Sequence, residues 1–226
     1  AIPVFVDSEK DTWNMCPDLL EKTIKDRMKR GKKPKVIILV HLYGMPAKMD
    51  EIMYVASKYN ITIIEDAAEA LGSKYKSKFL GTFGDMGIFS FNGNKIITTS
   101  GGGALITKNK KYYTKAIFLS TQARDDAPHY QHSQIGYNYR MSNILAGIGR
   151  GQLKVLHQRV LERRTVYERY VKRLYKFDDL TFFDEPKDFF SNRWLTCMIT
   201  KSNDQRERIR LNLEKENIES RPLWKP

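Results

Sequence analysis

Cysteine is scarce in this 226-residue chain: Cys16 and Cys197 are the only two, far apart and outside any CxxC or Cys/His cluster. Two such residues build neither a disulfide scaffold nor a structural zinc site, and this usage is compatible with a reducing cytoplasm. Long apolar runs are missing as well; none approaches the ~20 residues that a membrane-spanning helix needs. The opening Ala1-Ile2-Pro3-Val4-Phe5-Val6-Asp7 reads as a short strand rather than a secretory leader. There is no initiator Met, and the closing Arg221-Pro222-Leu223-Trp224-Lys225-Pro226 stops without a terminating element, so both ends read as cut.

Acidic charge is the other shortage. Asp and Glu number 26 against 39 Lys and Arg, a formal net charge of +13. Such an excess points to anionic partners: nucleic acid, acidic membrane or phosphorylated metabolites. The basic clusters at 29–33, 108–111 and 159–173 come without a stacking-aromatic module or zinc-ligand spacing. Nucleic acid is therefore not the expected partner, and solvated helix faces are the plain reading of the clusters. At 41% hydrophobic and 29% charged, the chain has the makings of a packed core.

Apolar periodicity predicts an α/β arrangement. A helix is expected over Pro17 to Arg30, through Leu19, Leu20, Ile24 and Met28. Lys35 to Val40 and Ile61 to Ile64 read as strands buried on both faces, with a helix between them from Asp50, its expected N-cap, to Tyr59. Strands alternating with helices imply a mostly parallel sheet. Short β runs follow at Ile88 to Phe91, Ile96 to Thr99 and Ala104 to Ile106, then a helix over Lys108 to Phe118. Residues 120–140 form a polar loop of a length that is usually functional or poorly ordered. From Ser142 to about Tyr175 the pattern is one long helix. Beyond Phe177 the texture is α+β, with strands at Thr181 to Phe183 and Trp194 to Ile199, a helix over Asp204 to Glu216, and a further strand starting at Ile218. The expected domains are thus 1–141, the connecting helix 142–176, and the start of a smaller domain, 177–226.

Two residues draw attention as chemistry. Asp66 ends a predicted strand, where open α/β sheets bind ligands, and small residues follow it; alone it reads as an ordinary helix N-cap. Lys95, 29 residues later, sits in a Gly-containing turn that permits close backbone approach, as a Schiff-base lysine requires; alone it reads as a solvated side chain. Ser90 alone is an ordinary strand residue and Asn138 a turn former.

Together the motifs say more. Glu65-Asp66-Ala67-Ala68-Glu69-Ala70-Leu71-Gly72 and the stretch Phe89-Ser90-Phe91-Asn92-Gly93-Asn94-Lys95 with its following Gly101-Gly102-Gly103 closely resemble those of the DegT/DnrJ/EryC1/StrS sugar aminotransferases. His41-Leu42-Tyr43-Gly44, Gly136 to Ser142 and Arg221 to Pro226 agree, in the same order over the whole chain. The resemblance implies an aspartate aminotransferase-like fold: a large α/β domain with a mostly parallel sheet, a long connecting helix and part of a small C-terminal α+β domain. It implies pyridoxal 5′-phosphate (PLP) as cofactor, with Lys95 matching the lysine that holds it covalently and Asp66 the carboxylate that pairs with the pyridinium nitrogen. Glu69 matches a position against the ring near its 3′-oxygen, where Gln or His is common. Ser90 matches the hydroxyl on the cofactor phosphate. Asn138 matches an amide that reaches the neighbouring subunit's cofactor, which implies a homodimer with shared sites.

The resemblance further implies amino transfer from an amino-acid donor, glutamate, to a nucleotide-linked keto sugar of the UDP-4-keto-6-deoxy-hexosamine type, in bacterial surface-polysaccharide or glycan synthesis. Family dehydratases carry His at the position of Lys95, so the lysine favours transamination. A phosphate-binding Gly-Thr or Gly-Ser turn and a ring-stacking aromatic, which the family carries before the point where this sequence starts, are expected to be missing. Two rival readings remain at this stage, a non-catalytic relative that acts by association and a basic nucleic-acid-binding protein.

Overall fold

A computed structural model of the protein describes residues 1–224; Lys225 and Pro226, the end of the Arg-Pro-Leu-Trp-Lys-Pro stretch, lie outside the described residues. The first helix, α1 (Pro17–Lys29), starts with Pro at N1, where its missing N–H costs nothing, and buries Leu20 and Ile24. Strand β1 (Val36–Val40) leads through a single 3-10 turn, Leu42–Gly44, into α2 (Met49–Lys58), which returns the chain to β2 (Thr62–Asp66). A two-residue hairpin, β3 (Lys74–Tyr75) and β4 (Lys78–Phe79), precedes β5 (Met86–Ser90) and β6 (Gly103–Ile106). Then come α3 (Lys110–Ser120), α4 (Asn143–Lys154), α5 (Leu156–Leu174), β7 (Leu180–Phe182), β8 (Phe189–Phe190), β9 (Met198–Thr200) and α6 (Asn203–Lys215). Among the described residues no helix is long and apolar enough to cross a membrane.

The central sheet has the order β1-β2-β5-β6. Its first three strands are parallel, with Val40 opposite Asp66 and Asp66 opposite Ile88, and β6 closes it antiparallel to β5. Parallel neighbours end on one edge, so Val40, Asp66 and Ser90 emerge together. On one face Ile37, Leu39 and Ile63 pack with Leu20 and Ile24 of α1 and Met49 and Ile52 of α2. Leu39, Met49 and Ile52 are wholly buried, and truncating any of them to Ala should cost about 2–5 kcal/mol.

Several expectations are corrected. The two apolar runs are buried on one face only: β1 alternates, with Val36, Ile38 and Val40 exposed, because α1 and α2 cover a single side. Ile2 to Val6 forms no strand and exposes Ile2 and Phe5, since no neighbouring strand pairs with it. Ile96 to Thr99 is a turn that buries its two isoleucines without a ladder. Helix α2 is capped from Lys48; Asp50 lies in its first turn, paired with Lys76. The long helix is two, broken at Val155 (φ −107°, ψ 4°), just after the three glycines 147, 149 and 151, each worth roughly 1 kcal/mol less than Ala to a helix. Of Trp194 to Ile199 only the last two residues join a strand, and Ile218 to Ser220 is irregular. Strand β8 pairs with β3 of the large part, so the C-terminal segment is stitched back onto the earlier fold.

A buried carboxylate organises the sheet's carboxyl edge. Glu65 is fully buried and accepts from the backbone N–H of Gly81 (2.7 Å), Phe83 (2.6 Å) and Gly84 (2.6 Å). Its fourth partner is His41 Nε2 at 3.1 Å. The Ala47 N–H donates to His41 Nδ1 (3.2 Å), so that nitrogen carries no proton and the imidazole is the neutral Nε2–H tautomer donating to Glu65. Burial raises the Glu65 carboxyl, but the His41 and backbone donors outweigh it and hold the group below the usual carboxylate range.

Replacing Glu65 with Gln should therefore lower stability by about 1.5–3 kcal/mol at neutral pH, measured by urea denaturation. A carboxyl titrating below an unfolded glutamate contributes fully above about pH 4.3 and loses that contribution as pH falls through its own lower pKa. The gap between wild type and Glu65→Gln should accordingly narrow in acid; a constant gap down to about pH 3 would contradict the assignment.

Candidate active site

After Asp66 the chain turns instead of entering a helix. The Ala68 N–H bonds to Asp66 Oδ1 (3.1 Å) and the Ala70 N–H to the Ala67 carbonyl (3.0 Å), so the expected helix cap is an Asx-type turn. The second carboxylate oxygen of Asp66 has no partner among the described residues. Because side chains alternate along a strand, Glu65 facing the core obliges Asp66 to face away from it.

The turn folds Glu69 back beneath the 3-10 segment. Its Oε2 accepts from the Tyr43 N–H at 2.7 Å, and the side chain is almost wholly buried. Tyr43 takes φ +54° and Gly44 φ +82°; a Cβ on Gly44 would stand 2.0 Å from Asn192 Oδ1, so only glycine passes there. Burial pushes the Glu69 carboxyl above the ordinary glutamate range; the Tyr43 N–H and Lys95 oppose the rise, and the Asp66 carboxylate adds to it.

Lys95 occupies the turn after β5, where its N–H bonds to the Asn92 carbonyl (3.1 Å) and the Thr99 N–H to the Phe91 carbonyl (2.9 Å). Its Nζ lies 3.6 Å from Glu69 Oε1, an ion pair beyond hydrogen-bond length, and 4.4 Å from the centre of the Trp194 ring. The side chain is only 13% exposed. Ser90 ends β5 half-buried; its Oγ accepts from the Asn92 N–H (3.3 Å), and its own proton has no acceptor among the described residues. The structure thus brings Lys95 and Glu69 into contact and sets Asp66 and Ser90 on the same sheet edge. Asn138 stands apart: exposed, it bridges to Thr121, and no hydrogen bond or ion pair joins it to the other four. No group of three His, Cys, Asp or Glu suited to a metal ion occurs among the described residues.

Two further residues complete the constellation, and sequence reasoning had passed over them. Asn192 is buried and donates through Nδ2 to the Glu69 (2.8 Å) and Leu71 (3.0 Å) carbonyls, while its N–H meets Ser73 Oγ (2.9 Å). Trp194, 4% exposed, donates its N–H to Asn192 Oδ1 (2.9 Å) and its indole N–H to the Asn94 carbonyl (2.7 Å). Asn192 lies 97 and Trp194 99 positions beyond Lys95, with no spacing pattern to betray them. The nearby Cys197 thiol is pushed up to about 12 by burial, which makes it inert as a nucleophile.

A sequence model of the DegT/DnrJ/EryC1/StrS aminotransferase family matches residues 1–226. The chain is 54% identical over its whole length to EpsN of Bacillus subtilis (strain 168), whose name gives it provisionally as a pyridoxal phosphate-dependent aminotransferase, and covers 58% of that protein. It is 40% identical, again over its whole length, to the GDP-perosamine synthase of Escherichia coli O157:H7, covering 60% of it. Among solved structures, a DegT DnrJ EryC1 StrS aminotransferase from Brucella abortus superposes with a TM-score of 0.87 at 29% identity, over 96% of this chain and 57% of that one. The chain therefore spans about three fifths of the length of the curated relatives it matches. With the α/β sheet, its motif order and these matches in agreement, the chain belongs to the DegT/DnrJ/EryC1/StrS aminotransferase family.

Proposed function

We propose that the protein carrying this chain is a PLP-dependent aminotransferase that moves an amino group from an amino acid onto the ketone of a nucleotide-linked sugar. The observation that carries this reading is the meeting of Lys95 with Glu69 at the edge where Asp66 and Ser90 also end. The finer reading takes glutamate as donor and a UDP-4-keto-6-deoxy-hexosamine as acceptor, in cytoplasmic synthesis of a bacterial surface polysaccharide or glycan. It includes a homodimer in which Asn138 serves the neighbouring site. It divides the chain into a PLP-binding domain (1–141), a connecting segment (142–176) and the start of a small domain (177–226).

The residues fit the cofactor. A Cβ built on Gly93 or Gly101 would meet nothing within 4 Å, so the turn bearing Lys95 borders open space. At this sheet edge the chain offers an amine and, among the described residues, a carboxylate oxygen without a partner and a hydroxyl proton without an acceptor. These match, in kind, an aldehyde, a ring nitrogen and a phosphate. When bound, PLP supplies an electron sink for the bond-making at the carbon that carries the amine.

The chain's own residues would do the rest. Lys95 Nζ holds the cofactor and, once free of it, moves the proton between the substrate carbon and the carbon that receives it. The Asp66 carboxylate keeps a proton on the ring nitrogen by charge-assisted hydrogen bonding. Ser90 Oγ donates to the phosphate. Glu69, its carboxyl raised above the ordinary glutamate range by burial, would stand against the ring where the family commonly has Gln or His.

The test is to add PLP, reduce with borohydride and locate the adduct by peptide mass. The label should fall on Lys95, and Lys95→Ala should abolish both the near-visible absorbance band and amino transfer while remaining folded. A reducible adduct of unchanged yield in Lys95→Ala would remove the assignment.

Asp66→Ala should weaken PLP binding roughly ten- to a hundredfold, the worth of one charged hydrogen bond; wild-type affinity would disprove its role. Glu69→Gln should keep cofactor binding and Glu69→Ala should lose it, by PLP titration. Turnover of matched UDP- and GDP-linked keto sugars with glutamate decides the finer substrate reading, and preference for GDP would replace it.

A further inference from the structure

We propose that Trp194 is a positioning residue for Lys95: its indole face seats the lysine's Nζ, and its ring N–H pins the turn from which the lysine projects. This inference rests on the reading of Lys95 as the covalent lysine and adds a second part of the chain to that site.

A lysine side chain has more rotamer freedom to lose than almost any other, so aiming one requires contacts from several sides. Glu69 alone does not aim it, because 3.6 Å is an ion pair without hydrogen-bond direction. The indole ring centre lies 4.4 Å from Nζ, well inside the range in which an aromatic face attracts a cation. The backbone is fixed by the same residue: the indole N–H donates at 2.7 Å to the carbonyl of Asn94, the residue directly before Lys95 and 100 positions from Trp194 in sequence. A buried indole donor needs an acceptor, and here it finds one in the lysine's own turn.

Trp194 is itself held to the other side of the site. Its N–H is bound by Asn192, whose amide grips the carbonyls of Glu69 and Leu71. Between them Arg193 adopts φ +51°, a left-handed conformation that turns the backbone sharply, and its guanidinium is buried 3.7 Å over the Tyr167 ring. The contacts close on themselves: Glu69 to Asn192, Asn192 to Trp194, Trp194 to Lys95, Lys95 back to Glu69. A tryptophan that merely filled the core would not need both its face and its N–H directed at one turn.

The experiment labels the protein's lysines by reductive methylation with 13C-formaldehyde and assigns the Lys95 resonance by its loss in Lys95→Arg. In the wild type that resonance should be displaced upfield by the indole ring current. In Trp194→Leu it should return to the position of an exposed lysine, while Lys74 and Lys78, seated on Phe79 and Phe83, keep theirs. Trp194→Phe keeps a face but not the N–H. In it, PLP–borohydride labelling of Lys95 relative to Lys74 and Lys78 should fall roughly three- to tenfold, the worth of one hydrogen bond. If Trp194→Leu fails to fold, the Phe variant decides. An undisplaced Lys95 resonance in the wild type, or Phe-variant labelling equal to wild type, overturns the positioning role. Absence of label at Lys95 in the wild type overturns instead the covalent-lysine reading, and the resonance still reports whether the seat exists.

Discussion

The ionised carboxylate of Glu65, sealed in the core, is the constraint on which the rest of the sheet edge depends. An isolated charge there would cost several kcal/mol; four converging donors offset that cost, and in doing so they tie two separate segments to β2. The imidazole of His41 sets where β1 ends, and the amides of Gly81, Phe83 and Gly84 set how the chain enters β5. Since the strand's side chains alternate, the same arrangement decides that Asp66 faces away from the core.

Around Asp66 the electrostatics are graded. Lys95 meets Glu69 near the sheet edge where Asp66 ends, and burial raises the Glu69 carboxyl above its ordinary range. Asn192 uses both amide hydrogens, its carbonyl oxygen and its backbone N–H within this small volume, which leaves it little freedom to move.

Much of this was legible in the sequence, for identifiable reasons. Apolar runs marked β1 and β2, helical spacing through Leu19, Leu20, Ile24 and Met28 marked α1, and the Asp66 and Lys95 motifs stood out through their resemblance to the family. What the runs did not carry was how many faces were covered, because burial of Val36, Ile38 and Val40 depends on which helices pack where. Glycines in α4 were readable as weak points, yet their summed effect at Val155 was missed beneath a continuous apolar stripe. Ile96 and Ile97 looked like strand because buried turns and buried strands use the same residues. Asn192 and Trp194 were silent because nothing local distinguishes an asparagine that caps a distant turn from any other. Asn138 was singled out by motif alone, and it lies exposed and apart from the other four.

The span of these contacts has a consequence for how the molecule comes into being. Asn192 meets Ser73, Leu71 and Glu69 across 119–123 residues. On a ribosome, the sheet edge with its Asp66 and Lys95 emerges long before the residues that brace it. Contacts so distant in sequence are won late, after the loop between them has been closed. The lysine turn is therefore synthesised about a hundred residues before the Asn-Arg-Trp segment that braces it.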